Sequence, residues 1–89
     1  MATGVYRVTL SPSARKQLQA LPRDIQERII ERLTALGNNP RPHGGLKLAG
    51  RDDAYRIRIG VYRAIYGIDD ANRIVHVTAI AHRRDVYRP

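Results

Sequence analysis

Residues 54–68 read AYRIRIGVYRAIYGI, and the way this stretch pairs with itself decides the fold. Apolar residues and arginines alternate on both sides of Gly60, the period of a strand with one buried face. A two-residue turn at Gly60 and Val61, with glycine at the first central position as a type II′ turn prefers, sets Ile59 against Tyr62. Ile57 then meets Ala64 and Tyr55 meets Tyr66, so one face of the hairpin is wholly apolar. A slip of one residue would bring arginine against these side chains, so the pattern selects its own register. On the opposite face Arg58 lies directly across from Arg63, and Arg56 sits one step along beside Ile65. Opposed like charges destabilise a ladder by tenths of a kcal/mol to about 1 kcal/mol. No acidic residue within 54–68 relieves them.

Outward from the hairpin, the breaker-rich stretch GNNPRPHGG at 37–45 separates two halves of different periodicity. Before it, VYRVTL at 5–10 alternates Val5, Arg7 and Thr9 with Tyr6, Val8 and Leu10, as a half-buried strand does. Ser11 followed by Pro12 has the chemistry of a helix N-cap with proline in the first turn, and Ala14, Leu18 and Leu21 follow at helical spacing. A second helix starts near Pro22, carries Ile25, Ile29, Leu33 and Leu36 along one stripe, and has Gly37 placed to end it. After the breaker, DAYRIRI at 53–59, YRAIYGI at 62–68 and RIVHVTAIA at 73–81 are strand runs, with a second turn at DDAN, 69–72. The expected fold class is α+β: a mostly antiparallel four-stranded sheet with two N-terminal helices packed on one face, in the order β-α-α-β-β-β, with a short C-terminal tail.

The 89 residues suit a single domain, 1–89, which would bury roughly 60 to 65 % of the surface its unfolded chain exposes. Without cysteine, disulfides and thiolate metal sites are excluded, and a reducing compartment is the natural setting. No apolar run approaches the roughly 20 residues that cross a bilayer, and MATGVYRVTL lacks the pattern of a signal peptide, so a cytoplasmic protein without a membrane partner is expected. Sixteen Lys and Arg against eight Asp and Glu give a formal charge of +8, which favours anionic partners such as nucleic acid. Fourteen of those cations are arginine, whose planar fork grips phosphate at two points where lysine offers a compact charge. A GC-rich genome enriches arginine as well.

Alternating arginine on a strand can be a solvated face. Three guanidiniums clustered on the side away from the helices, uncompensated locally, can equally bind a polyanion. Tyrosine is the only aromatic residue type present. Tyr55, Tyr62 and Tyr66 belong to the core, with Tyr6 a further candidate for it, whereas Tyr87, in HRRDVYRP, is available to stack on a base, take part in proton transfer or cap the sheet edge. His76, within the last strand run, shares a face with Thr78 and His82 if that strand is regular, and reads as structural. His43 lies in the Pro/Gly loop and receives no role. Three scattered histidines without carboxylates at ligand spacing argue against a metal site, and no cofactor is expected.

Three stretches together, LPRDIQERIIERLTALGNNPRPHGGLKLAG, AYRIRIGVYRAIYGI and IAHRRDVY, resemble the RelE family of bacterial toxins within the RelE/ParE superfamily. The resemblance spans nearly the whole chain. It implies the toxin of a type II toxin–antitoxin pair that cleaves mRNA in the ribosomal A site. It also implies a cognate RelB-like antitoxin that covers the basic face, and operator DNA as a partner only of the toxin–antitoxin complex. Arg56 and Arg58 stand where the best-known members of the family carry two lysines, Arg63 matches the hairpin arginine that holds the scissile phosphate, Arg83 the arginine after the last strand, and Tyr87 the stacking tyrosine. Arg84 joins the RNA-contacting set. The two Lys-to-Arg departures matter because a guanidinium stays protonated, so neither Arg56 nor Arg58 readily serves as general base.

Metal-independent cleavage by the 2′-hydroxyl needs a group to accept the 2′ proton, cations for the phosphorane, and a proton route to the leaving 5′ oxygen. The arginines suit the second need. His82, in a region where some relatives use histidine, and Tyr87 are the proton-transfer candidates. Two rival readings remain: a ParE-like toxin that inhibits DNA gyrase by binding, and a non-catalytic RNA-binding module with a basic sheet face.

Overall fold

The computed structural model describes residues 5–42, 46–47 and 54–82. In chain order its elements are β1 (Arg7–Leu10), α1 (Pro12–Gln19), α2 (Arg23–Ala35), β2 (Leu46–Lys47), β3 (Ala54–Ile59), β4 (Tyr62–Asp69) and β5 (Ile74–His82). The hairpin takes the register its pattern demands: Ile59 pairs with Tyr62, Ile57 with Ala64, Tyr55 with Tyr66, and Arg58 with Arg63. Gly60 has φ of 63°, and the positive-φ residue among the described non-glycines is Arg73. Val61 therefore does not adopt the left-handed conformation a type I′ turn requires, and the bend has the II′ pattern.

The sheet order is β1-β5-β4-β3-β2, with β1 parallel to β5 and the other pairs antiparallel. The four expected strands are present, and the short β2 joins them as an edge on β3. Both helices lie on one face, where Ala14, Leu18, Ile29, Leu33 and Leu36 meet Val8, Ile57, Ile59, Ala64, Tyr66, Val75, Val77 and Ile80 in one buried cluster. The helical stripes legible in the sequence thus cover the apolar side of the hairpin.

Local chemistry starts and stops the helices. The Ser11 hydroxyl accepts the Ala14 N–H at 3.0 Å, an N-cap bond, and Pro12 occupies the first turn. Gly37 follows α2 as expected but is not left-handed. The helix instead tightens, with Leu36 N–H donating to Leu33 C=O and Gly37 N–H to Thr34 C=O, both at 3.0 Å. The Gly37 carbonyl then accepts the Val5 and Tyr6 amides at 3.0 and 2.8 Å, tying the entry to β1 onto the end of α2.

One expectation fails in β5. Ile65 pairs with Ala79 but Tyr66 pairs with Val77, so Thr78 is an extra residue in the strand, a bulge. A regular strand would have placed His76, Thr78 and His82 on one face. The bulge reverses the alternation, so His76 pairs beside Gly67 on the face away from the helices while His82 pairs with Tyr62 on the helix-facing side.

A polar clamp closes the end of the sheet far from Gly60. Arg41 reaches Asp70 through two bonds, at 2.8 and 3.3 Å, and donates to the Tyr55 hydroxyl at 3.3 Å while lying over its ring. Tyr6 donates to the same carboxylate, and the buried Tyr66 hydroxyl donates to the Pro40 carbonyl at 2.9 Å. Burial pushes the Tyr66 phenol up to about 12, so it stays neutral over the working range. The bonds from Arg41 and Tyr6 hold the Asp70 carboxyl below its usual range. A depressed folded value means that this contribution is present above the unfolded carboxylate value of about 4 and is lost as pH falls through the folded value. Asp70→Asn is therefore expected to lower the melting temperature at pH 7 more than at pH 3. Equal shifts at both pH values would show that the ion pair contributes nothing to folding.

In the turn joining β4 and β5, the Asp69 carboxylate accepts from the Asn72 backbone and side chain at 3.0 and 2.9 Å. Arg73 ends the turn at φ of 54°. A non-glycine residue pays about 1 kcal/mol or more for the left-handed region, part of which glycine recovers. Arg73→Gly is expected to raise stability by some tenths of a kcal/mol to about 1 kcal/mol in denaturant unfolding, and a fall would refute it.

Candidate nucleic-acid interface

The face of the sheet turned away from the helices carries the arginines. Arg58 is exposed, Arg56 half-buried beside Ile65, and Arg63 only 7 % exposed, the sole charged side chain that is buried among the described residues. Burial of a guanidinium on a sheet face without helices was not legible from alternation, which assigned all three arginines the same environment. Arg63 sits on the central strand β4, between Arg58 on β3 and Ala81 on β5, and Ala81 leaves room for its long side chain.

The opposed like charges are relieved without a carboxylate among the described residues. Arg63 Nη1 donates to the Tyr62 carbonyl at 3.1 Å and reaches the Gly60 carbonyl at 3.4 Å, which Arg58 Nε also reaches at 3.4 Å. The turn that folds the hairpin thus presents a carbonyl dipole between two cations. Between described residues the ion pair is Arg41–Asp70, at the other end of the sheet. Among the described residues, Arg58 and Arg63 bring two cations together at the Gly60 end, the electrostatic condition for gripping a phosphate.

His82 packs edge-on against Tyr62, with ring centroids 5.8 Å apart. Its strand position is helix-facing, whereas Ala81 beside it shares the face of Arg63. His76 is exposed on the arginine-bearing face and its Nδ1 meets the Thr9 hydroxyl at 2.7 Å, on strand positions several residues from Arg63. Arg83, Arg84 and Tyr87, and His43 with them, lie outside the described residues. Of the proposed site, then, the hairpin assembles Arg56, Arg58 and Arg63 at one end of one face. Among the described residues no group of three His, Asp or Glu side chains gathers to hold a metal ion, and no helix is long and apolar enough to cross a membrane.

A family model described as the ParE toxin of type II toxin–antitoxin systems, parDE, matches residues 8–87. Toxin RelE of Mycobacterium tuberculosis (strain ATCC 25618 / H37Rv) is 33 % identical over 84 residues, covering 93 % of this chain and 87 % of that protein. Among solved structures, the archaeal RelE–RelB complex from Pyrococcus horikoshii OT3 superposes with a TM-score of 0.79 at 31 % identity, over 89 % of this chain and 96 % of that one. The toxin–antitoxin complex RelBE2 from Mycobacterium tuberculosis gives a TM-score of 0.80 at 30 % identity, over 91 % and 94 %. Sequence, fold and family model agree: the chain belongs to the RelE/ParE family and is a RelE-type toxin of a type II toxin–antitoxin system.

Proposed function

We propose that this toxin is a metal-independent endoribonuclease that cuts mRNA in the ribosomal A site and so stops translation, and that a cognate RelB-like antitoxin restrains it. The observation that carries the reading is the pairing of Arg58 with Arg63 at the Gly60 end of the open sheet face, with Arg56 one step along the same face. In this mechanism the 2′-oxygen attacks the adjacent phosphorus, the bond from phosphorus to the 5′-oxygen breaks, and the products are a 2′,3′-cyclic phosphate and a 5′-hydroxyl. Arg63 binds the scissile phosphate, and Arg56, Arg58 and Arg83 spread the added negative charge of the phosphorane. Arg84 steadies the neighbouring backbone, and Tyr87 stacks on a base. The ribosome orients the message, which the scarcity of proton-transfer groups in the chain makes necessary. Partnership with the antitoxin is supported by the RelE–RelB complexes that share this fold.

Proton transfer falls to Tyr87 or His82. The register sets His82 on the helix-facing side against Tyr62, so Tyr87 carries the larger expectation. Purified toxin added to programmed ribosomes, with cut sites mapped on the message, tests both. Tyr87→Phe is expected to slow cleavage by about 100-fold or more, and His82→Ala by no more than about fivefold. The reverse order would assign the proton to the histidine. The ParE name of the matching family model favours a second reading, inhibition of DNA gyrase by binding. Induced toxin that leaves messages intact and provokes gyrase-linked DNA breaks would establish it in place of the nuclease.

A further inference from the structure

β1 pairs with β5 only as far as Val77, so from the Thr78 bulge onward that edge of β5 has no strand partner, and α1 with its cap takes up its backbone groups. Gln17 Oε1 accepts the Ile80 N–H at 2.7 Å, across 63 residues of sequence. The Ser11 hydroxyl donates to the Thr78 carbonyl at 3.2 Å while also capping α1, and Thr78 Oγ1 donates to the Ile65 carbonyl at 3.3 Å. Ile80 is 2 % exposed, so without Gln17 its amide would be a buried donor lacking a partner.

What the bulge decides is which residues of β5 lie beside the arginines. With it, Ala79 neighbours Ile65 and Ala81 neighbours Arg63, while Ile80 points into the core. Regular pairing carried on from Tyr66 and Val77 would set Thr78 opposite Ile65 and Ile80 opposite Arg63. A branched side chain would then stand where Ala81 makes room for the guanidinium, and alanine would leave a void where Ile80 fills the core. We propose that Gln17 is a positioning residue for the arginine face: by holding the Thr78 bulge it keeps Ala81 rather than Ile80 against Arg63. Its functional consequence rests on the reading of that face as the phosphate site.

Three variants test it: Gln17→Leu, which removes the acceptor; Gln17→Glu, which keeps one; and Gln17→Leu combined with deletion of Thr78. The deletion preserves the pairings of Val77 and Ala79 in a regular strand and so dispenses with the bulge. In Gln17→Leu the Ile80 amide is expected to exchange at least tenfold faster than in wild type, relative to Val75. Cleavage on programmed ribosomes should fall about tenfold in kcat with little change in KM, as displacement of a phosphate ligand predicts. Gln17→Glu should restore both, and the deletion should restore cleavage. Unchanged Ile80 exchange in Gln17→Leu would overturn the proposal, as would lost cleavage that Gln17→Glu fails to recover while recovering exchange. Should Gln17→Leu fail to fold, the double variant decides: folded and active supports the bulge as Gln17's task, folded and inactive overturns it. Wild-type protein that cuts no message would remove the nuclease reading, and with it the functional half of the proposal. Ile80 exchange and the Arg63–Ala81 cross-strand contact, read by NMR, would then still decide whether Gln17 holds the bulge.

Discussion

Arg63→Ala is expected to lower the rate of message cleavage on the ribosome by about 100- to 1,000-fold, the cost of removing one preorganised charge-stabilising donor from an active site. Three features single Arg63 out from the other arginines. It lies on the central strand β4, so both sides of its backbone are held by ladder pairs. It is 7 % exposed, and a charge held away from bulk water acts on a phosphate with less screening than a surface one. Its Nη1 is anchored on the Tyr62 and Gly60 carbonyls, which fixes the guanidinium before substrate arrives. Arg63→Lys keeps the charge but loses the planar fork and the anchor, and should fall between alanine and wild type. Thermal unfolding of each variant separates a lost phosphate ligand from a damaged hairpin. Cleavage by a folded Arg63→Ala protein within about twofold of wild type would remove the site assignment.

The largest effect on stability is expected at Ile29→Ala. Ile29 is completely buried near the middle of α2. It faces Ile59, Gly60 and Tyr62 across an apolar hollow of about 200 Å³, and so braces the hairpin turn from below. Truncating a buried isoleucine to alanine costs about 2 to 5 kcal/mol, and an existing hollow beside it leaves little for the neighbours to close around. A domain of this size has only about 5 to 13 kcal/mol in hand. The variant should therefore show a much lower urea midpoint with an unchanged slope, and should lose cleavage with temperature well before wild type. A loss below about 1 kcal/mol would mean that α2 is not the brace for the turn.

The hairpin register and the helix stripes were legible because each is set within a few residues: alternation about Gly60 in one case, three- and four-residue spacing in the other. The clustering of Arg56, Arg58 and Arg63 followed from the same alternation. The bulge was not legible from a strand treated as regular, although a signal for it exists. Val75, Val77 and Ile80 are the core residues of β5, and their spacing of two and then three breaks the strand period at Thr78. The same break in period puts His82 on the opposite face from His76.

Local periodicity alone thus determined two amphipathic helices, a glycine-bent hairpin and the gathering of three guanidiniums on one side of it, since neighbouring side chains settle their own faces. Only the packed chain decided that β1 lies parallel to β5, that Gln17 meets the Ile80 amide, that Arg41 grips Asp70, and that Arg63 alone of the three is buried. Each of those outcomes joins residues remote in sequence or depends on what lies on adjoining strands. Nothing in the local alternation of side chains encodes such meetings.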